Sequence, residues 1–190
     1  MAHAAILLAA CLLAASGCKK GDHDASPGAA DYYISFKVDG VQKKYTSQAV
    51  ASLGYASQDK LYNAVLQGYQ GAASATGAHM GIFLFDQAAI AKGSYMDPQK
   101  ATNAGGDQIT KVMINYYDDA GNGYLSMGAM VDENGNPLPG VPGAVADAQV
   151  TITKLSSAGV EGTFSGTLAL ATGTSTVKIT EGKFILKRLQ

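Results

Sequence analysis

Two short stretches concentrate oxygen donors: Asp118-Asp119-Ala120-Gly121-Asn122-Gly123 and Asp132-Glu133-Asn134-Gly135-Asn136. In the second, side-chain oxygens stand at the first, third and fifth positions, the spacing with which a calcium loop begins. Such a loop continues with glycine at the sixth position and glutamate at the twelfth, where this chain has Pro137 and Gly143. Asn134-Gly135 is more simply a turn, and the first stretch reads as a hairpin connection before it reads as a metal loop. The three histidines, His3, His23 and His79, are too scattered to pair on a metal, and no metal or cofactor is expected. His79 reads as a loop-edge residue rather than a general base. Neither a Gly-x-Ser-x-Gly elbow nor a phosphate loop occurs. Glycan hydrolysis would have to draw on a pair among Asp86, Asp97, Asp107, Asp118 and Asp119, brought to about 5–9.5 Å in a cleft. Glu133, Glu161 and Glu181 sit at turns or on polar strand faces, so catalysis is not expected.

The 10 tyrosines offer a different chemistry, because a ring with an apolar face and a polar tip can stack on a sugar or anchor a partner. Tyr32-Tyr33 and Tyr116-Tyr117 place adjacent rings on opposite faces of a strand, so one ring of each pair is expected outside. Tyr55, Tyr62, Tyr69 and Tyr95 lie near Gly- and Ala-rich connections, as residues lining a rim would. The competing reading is cross-strand packing that merely supports a sheet.

Cys18 carries chemistry of another kind. From Ala4 to Ala15 every residue is Ala, Ile, Leu or Cys; the small Ser16-Gly17 follow, then Cys18, then the polar Lys19-Lys20-Gly21-Asp22-His23-Asp24. The apolar run is shorter than the roughly 20 residues that span a bilayer. This start resembles a bacterial lipoprotein signal. The resemblance implies a signal peptide over 1–17, a lipidated Cys18, and attachment to the outer membrane, facing either the periplasm or the cell surface. Each buried methylene of an acyl chain contributes ~0.8 kcal/mol, so a multiply acylated cysteine holds a protein on a membrane. Leu8-Ala9-Ala10-Cys11 is a competing site, but cleavage there would shorten the apolar signal and leave Leu12-Leu13 at the mature start. Residues 18–30 read as the lipidated cysteine and a flexible tether, with Ser26, Pro27 and Gly28 and no large apolar side chain.

Residues 31–190 have the length of one domain. With Cys11 in the signal and Cys18 acylated, that domain has no thiol, which excludes disulfides and thiolate chemistry. A net charge of -1 from 14 basic and 15 acidic residues gives no footprint for nucleic acid.

The punctuation of the domain is all-β. Tyr32 to Val38 and Val41 to Tyr45 flank Asp39-Gly40, a pair suited to a two-residue hairpin in which both residues take positive φ. Further strands are predicted at Ala49 to Leu53, Leu61 to Gln70, Met80 to Phe85, Gln108 to Tyr117, Gly123 to Met130, Ala148 to Leu155, Val160 to Leu170 and Thr176 to Leu189. Asp86 to Lys92 suits one turn of helix. Val160, Gly162, Phe164, Gly166, Leu168 and Leu170 share one face of their strand. In the last strand Val177 and Ile179 fall out of phase with Phe184 and Leu186, which a bulge at Glu181-Gly182 reconciles. The expected fold is an antiparallel two-layer β-sandwich of about nine or ten strands, with an antiparallel β-barrel as the alternative.

Gly162-Thr163-Phe164-Ser165-Gly166, followed by Val177-Lys178-Ile179-Thr180-Glu181-Gly182-Lys183-Phe184, is similar to the closing hairpin of small Bacteroidota lipoproteins of unknown function. Tyr33-Ile34-Ser35-Phe36-Lys37-Val38-Asp39-Gly40, running on to Lys44-Tyr45, resembles their opening hairpin. The resemblance implies a lipid-anchored β domain and lends no activity. The leading expectation is thus a non-catalytic envelope module that binds a glycan or an envelope protein. The alternatives are a structural subunit of an envelope complex and, less favoured, the glycan hydrolase.

Overall fold

The computed structural model describes residues 32–126 and 145–190, and all regular structure among them is β. Cys11, Cys18, the tether and Asp132–Asn136 lie outside the described residues. In chain order the strands are β1 (Tyr33–Val38), β2 (Val41–Tyr45), β3 (Ser47–Ala56), β4 (Leu61–Tyr69), β5 (His79–Asp86), β6 (Gly93–Met96) and β7 (Lys100–Thr102). They continue with β8 (Gln108–Thr110), β9 (Val112–Tyr117), β10 (Gly123–Ser126), β11 (Gln149–Leu155), β12 (Gly159–Leu170) and β13 (Thr176–Arg188).

One layer runs β2-β1-β13-β12-β11-β6 and the other β3-β4-β5-β9-β10; β7 and β8 form a separate hairpin. The long strands β12 and β13 join the layers. Along one edge β12 pairs first with β11 and then, at Ala169 and Leu170, with β10. β13 pairs with β1 and then, at Lys187 and Arg188, with Val50 and Ala51 of β3. Those corners close a ring through β13, β3, β4, β5, β9, β10 and β12, so a two-layer sandwich acquires the closure of a barrel. The β13–β3 pairing is parallel, which corrects the purely antiparallel expectation.

Among the described residues the strands number 13, more than expected, partly because the stretch predicted as one strand from Gln108 to Tyr117 is two. Lys111 divides it: its N–H donates to the Gln99 carbonyl at 2.9 Å, and its carbonyl accepts from Phe85 N–H at 3.0 Å. The backbone thereby changes partners from β7 to β5. No helical turn forms over Asp86–Lys92. Asp86 Oδ1 accepts the Ala88 N–H, while the Tyr95 hydroxyl accepts from the Ala91 N–H and donates to the Ala91 carbonyl. Side chains thus satisfy the groups that a helix would have paired.

The hairpin at Asp39-Gly40 is as expected, with φ of 48° and 86°. Phe36 of β1 is the hub of the core. Its ring meets Tyr45, Tyr116 and Phe164 at centroid distances of 5.3, 5.7 and 6.0 Å, which ties the two layers together. The bulge in β13 is present, and it brings Ile179, Phe184 and Leu186 onto the buried face. Leu170 leaves the buried phase of β12: Leu168 and Ala169 are both buried where the strand turns the corner onto β10.

Candidate functional site

The four tyrosines expected at a rim separate. Tyr95 turns inward, its hydroxyl spent on Ala91. Tyr69 joins His79 and Tyr117 in a row across β4, β5 and β9, with His79 5.1 Å from the Tyr69 ring and 4.5 Å from the Tyr117 ring. His79 is 8% exposed and its Nδ1–H donates to the Gly77 carbonyl at 2.7 Å, so it is a packed strand residue and not a loop edge. Tyr55 and Tyr62 stay together. They face each other across the β3–β4 register, with ring centroids 4.8 Å apart and planes at 50°.

Those two rings line a cavity of about 300 Å³ with Leu53, Gly54, Asn63, Ala89, Ile90 and Arg188. Three separate parts of the chain build it. The β3–β4 hairpin supplies the rings, the segment after β5 supplies Ala89 and Ile90, and the end of β13 supplies Arg188. Tyr55 is 53% exposed, so its ring face is open to a ligand, whereas Ile90 is buried and forms part of the floor. Asn63 also lines an adjoining cavity of about 200 Å³ with Asp59, Leu61, Phe85, Asn103 and Ile109. Asn63 follows Tyr62 in β4, so its amide leaves the other face of the sheet, beside Gly54 and away from the two rings.

The segment that forms the floor is held from below. Asp86 Oδ2 accepts from Lys111 Nζ at 2.7 Å. Burial by itself raises the Asp86 carboxyl, but the Lys111 ammonium and the Ala88 and Gln87 N–H groups outweigh it and hold the group below the usual carboxylate range. The other carboxylates considered for hydrolysis have separate local partners. Asp97 is buried and accepts from Thr110 at 3.1 Å, Asp107 accepts from Asn103, and Asp119 pairs with Lys43 at 3.0 Å. Asp118 turns both oxygens into its own loop, accepting from the N–H groups of Ala120 and Asn122 and from the Asn122 amide. That loop is the β9–β10 hairpin connection. Glu161 pairs with Lys154 and Glu181 with Lys37.

Of the adjacent pairs, Tyr116 points into the core, where burial raises its phenol, while Tyr117 lies on the outer face. Tyr33 lies under the Lys44 ammonium, 4.7 Å from the ring centroid. A larger trough of about 530 Å³ crosses the outside of β11, β12 and β13, between Gln149, Thr151, Thr163, Ser165, Glu181 and Lys183. Its nearest ring, Phe164, is turned into the core, so it offers no stacking face.

Sequence reasoning named Tyr55 and Tyr62 but missed Ile90 and Arg188. Arg188 had a signal, being the only arginine in the chain. Ile90 had none, since it looks like an ordinary loop residue until the chain folds. No family model, curated protein or solved structure matches this chain, so its function has to be read from the geometry of this site.

Proposed function

We propose that this chain is a lipid-anchored, non-catalytic module of a bacterial outer membrane that binds a glycan in the Tyr55–Tyr62 pocket. The observation that carries the reading is a pair of tyrosine rings, 4.8 Å apart, lining a cavity of about 300 Å³. The electropositive C–H face of a sugar ring suits the negative face of an aromatic ring. The cavity volume falls at the lower end of the range for small-ligand sites, which fits one or two sugar units. Cys18, once acylated, would keep this pocket at the membrane.

The test is a glycan panel presented to the full chain, followed by calorimetry on the best ligand. Tyr55→Ala and Tyr62→Ala should each weaken binding by about tenfold, a loss of about 1.4 kcal/mol. Tyr117→Ala, on the other aromatic row, should leave affinity unchanged. Equal affinity in all three variants, or binding to none of the panel, would overturn the reading.

A further inference from the structure

Arg188 differs from every other basic residue of the chain: of the 14, it alone is an arginine. Among the described residues it is also the only charged side chain lining the Tyr55–Tyr62 pocket. Several contacts set its position. The backbone N–H donates to the Ala158 carbonyl at 3.0 Å, and the following N–H, of Leu189, donates to the Ala51 carbonyl at 2.8 Å. One guanidinium nitrogen, Nη1, donates to the Ser156 carbonyl at 3.2 Å, which fixes the head. Among the described residues no carboxylate pairs with it.

A guanidinium is a rigid planar fork that takes a carboxylate through two parallel N–H···O bonds, a geometry an ammonium cannot reproduce. A surface that needed only positive charge would be served by the lysines that fill every other basic position. The pocket therefore offers a carboxylate a planar fork beside two aromatic rings.

We propose that the ligand is an acidic glycan, whose carboxylate-bearing unit sits against Tyr55, Tyr62 and Arg188. This rests on the glycan reading of the pocket. The probes are a hexasaccharide alternating glucuronate with N-acetylglucosamine and the same hexasaccharide with its carboxyl groups reduced to alcohols.

With the full chain held in detergent, the alternating acid should bind at least tenfold more tightly than its reduced form. Arg188→Met, which keeps the aliphatic stem, should abolish the preference for acid over reduced form, and Arg188→Lys should restore only part of it. Thermal midpoints of both variants should match the parent. Equal binding of acid and reduced form by the parent protein would overturn this proposal and leave the glycan reading standing. Failure to bind either probe or any other glycan would overturn both.

Discussion

Gly182 sits in β13 directly after Glu181, and a methyl group there would meet the Phe164 carbonyl oxygen and two Phe164 ring carbons at 2.7 Å. The left-handed residue of the bulge is Glu181, with φ 52°, so what Gly182 supplies is space. Gly182→Ala should therefore cost about 1–3 kcal/mol through overpacking. Gly71→Ala, where an added methyl group would enter open space, should be neutral. Urea midpoints of the two variants check this, and equal stability would mean that Phe164 yields easily. The bulge itself was readable from the chain, because Val177 and Ile179 fall out of phase with Phe184 and Leu186. Which residue would take the unusual φ was not readable, since that depends on what β12 presses against β13.

At the scale of elements, the segment after β5 behaves as a floor clamped by one ion pair. Asp86 and Lys111 are both largely shielded, with side chains 19% and 24% exposed, so their pair is less screened than a surface one. The Asp86 carboxyl is held below its usual value in the folded chain. Its contribution is thus fully present above the unfolded value of about 3.9 and is lost as pH falls through the lower folded value. Asp86→Asn should cost about 1 kcal/mol at neutral pH. The stability difference between parent and variant should be flat above about pH 4 and shrink below it. Denaturation midpoints from about pH 2.5 to 7 measure this, and a gap that persists in acid would show that the ion pair is not its source. The helix expected here was misjudged because Gln87-Ala88-Ala89-Ile90-Ala91 favours a helix by local propensity alone. Tyr95 and Asp86 capture the backbone groups instead, and only the fold brings the Tyr95 hydroxyl to Ala91.

At the scale of the whole molecule, a closed β domain follows a start that resembles a lipoprotein signal. The parallel contact between Arg188 of β13 and Ala51 of β3 closes the ring and also delivers the guanidinium to the pocket. In the proposed function, membrane attachment depends on a single atom, the Cys18 sulfur. Cys18→Ala should release the protein into the soluble fraction and abolish incorporation of labelled fatty acid. Unchanged membrane association would remove the anchor from the proposal while leaving the pocket untouched.

Features that depend on neighbours in the chain were legible before folding. The Asp39-Gly40 hairpin follows from two local φ values, the alternation in β12 from the pleat, the thiol-free domain from composition, and the all-β class from turn residues between short apolar runs. Which distant residues share a surface was settled only by the packing of the strands. Tyr55 and Tyr62 could be named as rim candidates, but so could Tyr69 and Tyr95, and nothing local distinguishes them. The pairing of β3 with β4 put the first two face to face, the core took Tyr95, and His79 took Tyr69. Arg188 entered the pocket through a strand pairing between opposite ends of the domain, a contact that no local pattern encodes.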